Sequence, residues 1–421
     1  MIYCKRCLYP SNHPLNITFD ENGVCSGCRV HEEKDSLDWT ERLLKLKKIL
    51  NSYKTKSNNL YDCVIPVSGA RDSYFIVHTI KKEFGLNPLL VSYNRHYNTK
   101  IGLSNLAYLR TIMDCDILTL TIKPEIVKAI TKETLKRRAS MHWHTLAGQS
   151  VLPVKVAVGY KIPLIIWGVH QGCDQVGMFS HKDEVEMTRK YRYEHDLMQL
   201  EAEDLIGPNL TEEQLHPYIY PDDKEIERVG VRGIYLSNYI RWDSKNQHEK
   251  MLKLYGYQVA KLQRTFDNYN DVDCLHYAGL HDYIKYLKFG YGKVTDHACR
   301  EIRLKRLSRE NAIKLVEKYE QIIPDDIDMF CKFIGISDNE LMTYINNHRD
   351  ARVWKKDLNN NWQLIDSSVD RYGQSSPDLN LSLTEHNQFV FQENSTLTKE
   401  VKLLNKGFTD IKQFPYVSND C

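Results

Sequence analysis

An apolar run from Cys63 to Val67 stops at a turn of small and polar residues, Ser68-Gly69-Ala70-Arg71-Asp72-Ser73. A helical pattern follows at once with Tyr74, Phe75, Val77, His78, Lys81 and Lys82. This strand, turn and helix constrain the fold because the chain goes on repeating the alternation. After the strand at 60–67 come a turn at Gly85-Leu86-Asn87-Pro88, a strand from Leu89 to Tyr93, a helix around Leu103 to Met113 and a strand from Asp116 to Ile122. Helical stretches then run from Pro124 to about Arg138 and from about Thr145 to Tyr160, leading into the apolar run Ile162 to Gly168. Short β-branched runs separated by helices predict right-handed crossovers and a parallel sheet covered on both faces. Ligands bind beyond the carboxyl ends of such strands. That places Ser68 to Ser73, Tyr93-Asn94-Arg95 and Gly168 to Gln171 at one rim.

The turn suits an anion. Consecutive backbone N–H groups and a helix N-terminus make a concave phosphate site, Ser68 and Ser73 add hydroxyls, and Gly69 lets the backbone approach a ligand. An ordinary strand-to-helix turn rich in small residues is the simpler reading. Neither G-x-x-x-x-G-K-[ST] nor G-x-G-x-x-G is present. The turn instead resembles the S-G-G-x-D-S signature of the PP-loop ATP pyrophosphatases, with Ala70 in place of the second glycine and Arg71 where many members carry Lys. The resemblance implies an adenine nucleotide alpha hydrolase-like α/β domain that binds ATP and Mg²⁺. Ser68, Gly69, Ala70, Arg71, Asp72 and Ser73 would hold the pyrophosphate, and Tyr93, Asn94 and Gly168 would flank the adenosine. Arg71, Asp72 and Ser73 are the catalytic candidates: Arg71 to neutralise charge on the leaving phosphates and Asp72 to place the metal.

Cys4-x-x-Cys7 and Cys25-x-x-Cys28, with 17 residues between the pairs, match the spacing of a tetrahedral zinc site. Four cysteines would fill the metal's coordination, which makes the site structural. Two disulfides or a redox dithiol are the rival readings. The other seven of the eleven cysteines are scattered, unlike a secreted disulfide framework. With 42% hydrophobic residues, 27% charged and a net charge of +2, the chain reads as a globular protein without a general nucleic-acid footprint. No apolar run approaches a membrane span. Nor does an apolar signal region precede the cysteine motif, so a cytoplasmic location is expected.

Five regions are expected: a zinc-ribbon module at 1–36, a linker helix at 37–59 capped by Asp38, the ATP-binding α/β domain at 60–230, a more helical region at 231–355 that shapes the substrate site, and a divergent C-terminal extension at 356–421. From Asp296 a helix carries Arg300, Arg303, Arg306 and Arg309 at intervals of three, either a phosphate-facing edge or a solvated face.

The two cysteine pairs, Val67 to Ser73, Ile165 to Gly168, Val231 to Asp243 and His281 to Gly292 together resemble the WbpG- and PseA-like N-acetyl sugar amidotransferases of bacterial surface-polysaccharide and flagellar nonulosonic-acid synthesis. The resemblance spans roughly residues 1 to 355. It implies ATP-dependent conversion of a sugar acetamido group to acetamidino, with Arg232, Tyr239, Arg241, Trp242, His281, Lys285, Arg300 and Arg303 as substrate contacts. It also departs at Val169-His170-Gln171, where many PP-loop enzymes place an acid. No glutaminase module is recognisable in the chain, so the implied partners are a glutaminase and a barrel-type ammonia-channelling subunit like those of imidazole-glycerol-phosphate synthase. A tRNA-modifying PP-loop enzyme and a non-catalytic zinc- and nucleotide-binding subunit are the alternatives.

Overall fold

A computed structural model describes residues 1–54 and 60–370. Five short strands, β1 Cys63–Pro66, β2 Pro88–Tyr93, β3 Ile117–Leu120, β4 Leu164–Trp167 and β5 Arg232–Tyr235, form one sheet in the order β3-β2-β1-β4-β5. All neighbours run parallel. The alternation of strands and helices thus produces the expected parallel α/β fold. The order reverses between β1 and β4, and the crevice at such a switch point is where open α/β sheets take ligands.

The strands are apolar on both faces. Cys63, Ile65 and Val67 join one core with Leu46 and Leu50 of α2 (Trp39–Lys54), Tyr74 and Val77 of α3 (Arg71–Val77), and Leu109 and Met113 of α4 (Lys100–Met113). Val64, Leu89, Val91 and Ile165 face the other way, onto Val151, Val154 and Ala157 of α6 (Trp143–Gly159). A period of two along the strands sends successive side chains to opposite helical layers. Beside α6 lies α5 (Pro124–Arg138), whose Val127 and Ile130 share a core with Trp143 and Ala147, with proline in its first turn and Ala139 closing it in the left-handed region. Asp38 accepts from the N–H groups of Thr40 and Glu41 at 2.9 and 3.0 Å, as a cap for α2. Residues 55–59, the end of the expected linker, lie outside the described residues.

Three boundaries differ from expectation. β5 lies beyond residue 230, so the sheet takes its last strand from the stretch assigned to the helical region; four residues show too little periodicity to reveal a strand. The helix expected from Asp296 spans Lys293–Arg303, Arg306 lies in the break after it, and Arg309 opens the next helix, Arg309–Tyr319. The extension expected from 356 begins as a hairpin, β6 Trp354–Lys356 and β7 Trp362–Leu364, whose Trp354, Trp362 and Leu364 share a core with Ile284, Tyr286 and Leu287 of the helix Leu280–Phe289. Residues 371–421, with Phe389 to Phe391 and Val401 to Leu404, lie outside the described residues.

The cysteine module, which continues into α1 (Ser26–Ser36), packs on the far end of the chain. Leu8, Tyr9 and Val24 share a core with Val294, Ala298 and Cys299 of Lys293–Arg303 and with Ile313 and Val316 of Arg309–Tyr319. Among the described residues no helix is long and apolar enough to cross a membrane.

Candidate functional site

The turn after β1 leaves the sheet at the switch point. Ser68 N–H donates to Ser73 Oγ at 2.9 Å, and Ala70 N–H donates to Ser68 Oγ at 3.3 Å, so both hydroxyls face the interior of the turn. Ala70 has φ −92° and ψ 165°, an extended conformation that any L residue adopts. The Cβ in place of glycine is therefore tolerated without strain. Gly69 is needed for a reason other than the one expected. A Cβ there would stand 2.1 Å from the carbonyl oxygen of Gly102, so the close approach is to the start of α4. Asn105 Nδ2 holds the Gly69 carbonyl from the same helix at 3.2 Å. The side chain of Arg71 lies outside the described residues.

Two spaces open beside this turn. One, of about 190 Å³, is bordered by Ser68, Asp72, Ser73, Tyr93, Arg95 and Trp167. A smaller one, of about 70 Å³, is bordered by Ser68, Gly69, Tyr93, Asn94, Arg95 and Asp273. Three strand ends thus converge as the rim rule requires. Tyr93 is buried, with its hydroxyl 2.7 Å from that of Tyr218. Asn94 Nδ2 donates to Thr121 Oγ1 at 3.1 Å. Gly168 borders neither space and packs instead on Ile76 and Trp242.

On the other side of Asp72 lies a larger cavity of about 370 Å³. The cysteine module, the segment after β4 and the helices Leu280–Phe289 and Lys293–Arg303 wall it in. Trp242, His281, Lys285, Arg300 and Arg303 line it. Three other expected substrate contacts do not. Arg232 opens β5 at the amino end of the sheet, opposite the rim, with Nε 2.8 Å from Glu186 Oε1. Tyr239 is buried in the core. Arg241 pairs with Asp35 at 2.6 Å on the surface.

Four of the cations lining the cavity are paired with carboxylates. Lys285 meets Asp296 at 2.5 Å, Lys293 meets Asp271 at 2.6 Å, Arg300 meets Asp267 at 2.9 Å, and Lys34 pairs with Asp174. Burial raises the pKa of the Asp174 carboxyl, but Lys34 outweighs it and brings the value down to about 2. Asp174 ends the short helix Gln171–Asp174, so an acid does stand near the departure at Val169-His170-Gln171, one turn further on. Tyr277 stacks on His281 at 4.9 Å and carries Lys293 Nζ 3.5 Å over its ring. Burial lowers His281 to about 3, keeping it neutral near pH 7. Trp242 Nε1 is buried without a partner among the described residues. Aromatic faces beside paired cations and acids suit a hydroxylated, charged ligand.

The four expected metal cysteines converge. The Sγ atoms of Cys4, Cys7, Cys25 and Cys28 all lie within 4.8 Å of one another, with Cys7 to Cys25 at 3.6 Å and Cys4 to Cys28 at 4.0 Å. Tetrahedral zinc with bonds of about 2.3 Å sets its sulfurs about 3.8 Å apart, so the set fits that ion. Neither separation is that of a disulfide. Backbone N–H groups of Cys7 and Cys25 point at Cys4 Sγ at 3.4 and 3.3 Å, a second shell that supports thiolate.

Lys34, Asp174, Asp271, Asp296, Arg95 and Asp273 were not among the expected site residues. The strand pattern puts Arg95 at the rim and Asp296 opens the expected arginine helix, but nothing local to Lys34, Asp174, Asp271 or Asp273 marks a site, and only the fold brings them together.

The fold and site define a parallel α/β protein with a turn of small and polar residues at its switch point, a charged cavity beside it and a buried four-cysteine cluster that could hold a metal ion. Residues 238–368 match the family described as LPS biosynthesis protein WbpG-like, C-terminal domain. A 121-residue segment is 26% identical to an uncharacterized protein of Methanocaldococcus jannaschii, covering 28% of this chain and 42% of that protein. The chain thus spans about two-fifths of the length of that curated relative. Among solved structures, the NH3-dependent NAD synthetase of Campylobacter jejuni is 14% identical over 34% of this chain and 62% of its own, with a TM-score of 0.27. The NMN synthetase of Francisella tularensis is 16% identical over 50% and 96%, with a TM-score of 0.24. The fold class rests on the sheet itself.

Proposed function

We propose that the chain is an ATP-dependent amidotransferase acting on an N-acetylated bacterial surface sugar, a nonulosonic acid or a nucleotide-linked aminosugar. The observation that carries this reading is that Asp72 borders both the space beside the turn and the large charged cavity. A phosphate chain in the first would then meet an acetamido group held in the second. The WbpG-like domain, which supplies most of the cavity's cationic wall, supports a sugar as the occupant.

An amide oxygen is a poor leaving group. Its attack on the α-phosphorus of ATP releases pyrophosphate and leaves the oxygen as a phosphate ester on the former carbonyl carbon. Ammonia adds to that carbon, AMP departs with the oxygen, and loss of a proton gives the amidine. Ser68, Ser73 and the backbone of Gly69 and Ala70 would bind the phosphates, and Arg71 would offset their charge. Asp72 would hold Mg²⁺, which supplies charge neutralisation there. Lys285 and Arg300 would orient the sugar from the far wall. The ammonia would come from a glutaminase through a barrel-type partner, and the reaction would run in the cytoplasm.

The test is pyrophosphate release by the full chain with ATP, ammonium and N-acetylated sugars, alongside mass spectrometry for replacement of one oxygen by NH. Sugar-dependent release is expected. Release that is independent of sugar, or an unchanged product mass, would remove the assignment.

A further inference from the structure

The two small spaces beside the turn share Arg95, two residues past the end of β2. Its side chain is 16% exposed and is held at both ends. With the Gln149 amide oriented so that Oε1 faces the guanidinium, that oxygen accepts from Nε and Nη2 at 2.7 Å each. At the other end Nη1 stands 3.1 Å from Asp273 Oδ2. Gln149 uses two of the five N–H groups of the fork, and the remainder point toward Asp273 and the spaces.

Asp273 is 5% exposed and borders the smaller space. Its Oδ1 is buried and has no hydrogen-bond partner among the described residues. A buried carboxylate oxygen without a donor is costly, so a ligand that brings a donor is favoured at this position. The backbone here is fixed. Thr99 Oγ1 donates to the Val272 carbonyl at 2.5 Å, Leu275 N–H donates to the Tyr97 carbonyl at 2.6 Å, and Asn98 bridges to Cys274. A Cβ on Gly102 would stand 2.5 Å from the Asp273 Cα, so residue 102 must be glycine for this segment to seat against α4. Asp273 belongs to the WbpG-like domain, yet its carboxylate faces the turn of the α/β sheet.

We propose that Arg95 and Asp273 together read the nucleotide: the guanidinium takes a phosphate oxygen, and Asp273 Oδ1 accepts from a hydroxyl or amino group of the nucleoside. The WbpG-like domain then completes the ATP site. The assignment rests on the reading of the turn as an ATP site. It divides the ligand into an anionic part held by Arg95 and a donor-bearing part held by Asp273. Pyrophosphate carries only the first, so the two probes separate the roles.

The experiment measures equilibrium binding of ATP and, separately, of pyrophosphate to the full chain, with zinc content and melting temperature as folding checks. Asp273→Ala should weaken ATP by about tenfold or more while leaving pyrophosphate equal or tighter, since the anion then faces Arg95 alone. Arg95→Gln should weaken both by about tenfold or more. Arg95→Lys keeps the charge and serves if the glutamine variant does not fold; it should weaken both ligands severalfold. Asp273→Ala binding ATP normally, or losing pyrophosphate as much as ATP, would overturn the proposal. So would wild-type pyrophosphate affinity in Arg95→Gln or Arg95→Lys. If the wild-type chain binds neither probe, the ATP reading itself fails and this inference goes with it.

Discussion

The guanidinium of Arg303 stands 3.6 Å from Cys25 Sγ and 4.0 Å from Cys7 Sγ while bordering the large cavity. It also donates to the Gln175 carbonyl at 2.6 Å and lies 5.2 Å over the Tyr9 ring. A zinc ion held by four thiolates would carry a double negative charge, and this one cation would offset part of it. The cysteine cluster therefore stands directly behind the cavity wall, with Arg303 between them.

Purified protein should contain one zinc per chain. Cys7→Ser or Cys25→Ser should lose it and fail to fold stably, because structural zinc contributes on the order of 10 kcal/mol in comparable small sites. Arg303→Gln removes the positive charge beside Cys7 and Cys25 and should weaken zinc retention by about 10- to 100-fold in a chelator competition. Metal analysis finding no zinc, or a four-serine variant that keeps it, would refute the assignment.

Asp72→Ala and Ser73→Ala should abolish ATP-dependent pyrophosphate release, since Asp72 borders both the larger space beside the turn and the charged cavity and Ser73 Oγ faces the interior of the turn. Ala70→Gly should change the rate only modestly, because the backbone at 70 is extended and gains nothing from glycine. Unchanged turnover in the first two variants, or a rate that appears only with Gly at 70, contradicts this.

With respect to ammonia, the isolated chain should make the amidine at high ammonium but not from glutamine. Glutamine use should appear only when the glutaminase and barrel-type pair is added. Comparing the two nitrogen donors with and without that pair decides the matter, and glutamine turnover by this chain alone would exclude the partner scheme.

Stability should fall as pH drops from about 6.5 toward 3. Burial lowers His13, His144, His170, His181 and His281 each to about 3. In that window the unfolded chain binds these protons and the folded chain does not, so their contribution is complete above the unfolded value and is lost on acidification. Each histidine costs on the order of 1 kcal/mol by pH 5.5. Both ring nitrogens of His170 are buried without partners among the described residues, so His170→Phe should flatten the dependence by one histidine's share. Melting curves from pH 7.5 to 5.5, with zinc content followed in parallel, provide the measurement.

Strands and helices of the sheet were legible because Cys63 to Val67 and Leu89 to Val91 are short apolar runs and the stretches that separate the strands show helical spacing. The cysteine pairs were legible because metal spacing is local. Arg232 and Tyr239 misled because residue type says nothing of which end of a strand, or which side of a core, a side chain occupies. Asp273 and Lys293 were invisible for the opposite reason: each acquires a role only through a partner brought near by folding, Arg95 for one and Asp271 for the other. Gly69 shows the same limit from within a motif, since its constraint comes from Gly102, 33 positions away.

Leu8 N–H donates to Cys299 Sγ at 3.3 Å, and Arg309 Nε to the Cys7 carbonyl at 3.1 Å, across 291 and 302 residues of sequence. During synthesis the cysteine module emerges before the helices that cover it, which follow only after the whole sheet has been made. Until then its apolar side has no native neighbour, and closing so long a loop is slow. The module's thiols thus wait for their native cover until the sheet has been made. Early zinc capture would make the metal a guardian of the nascent protein as well as a strut in the finished one.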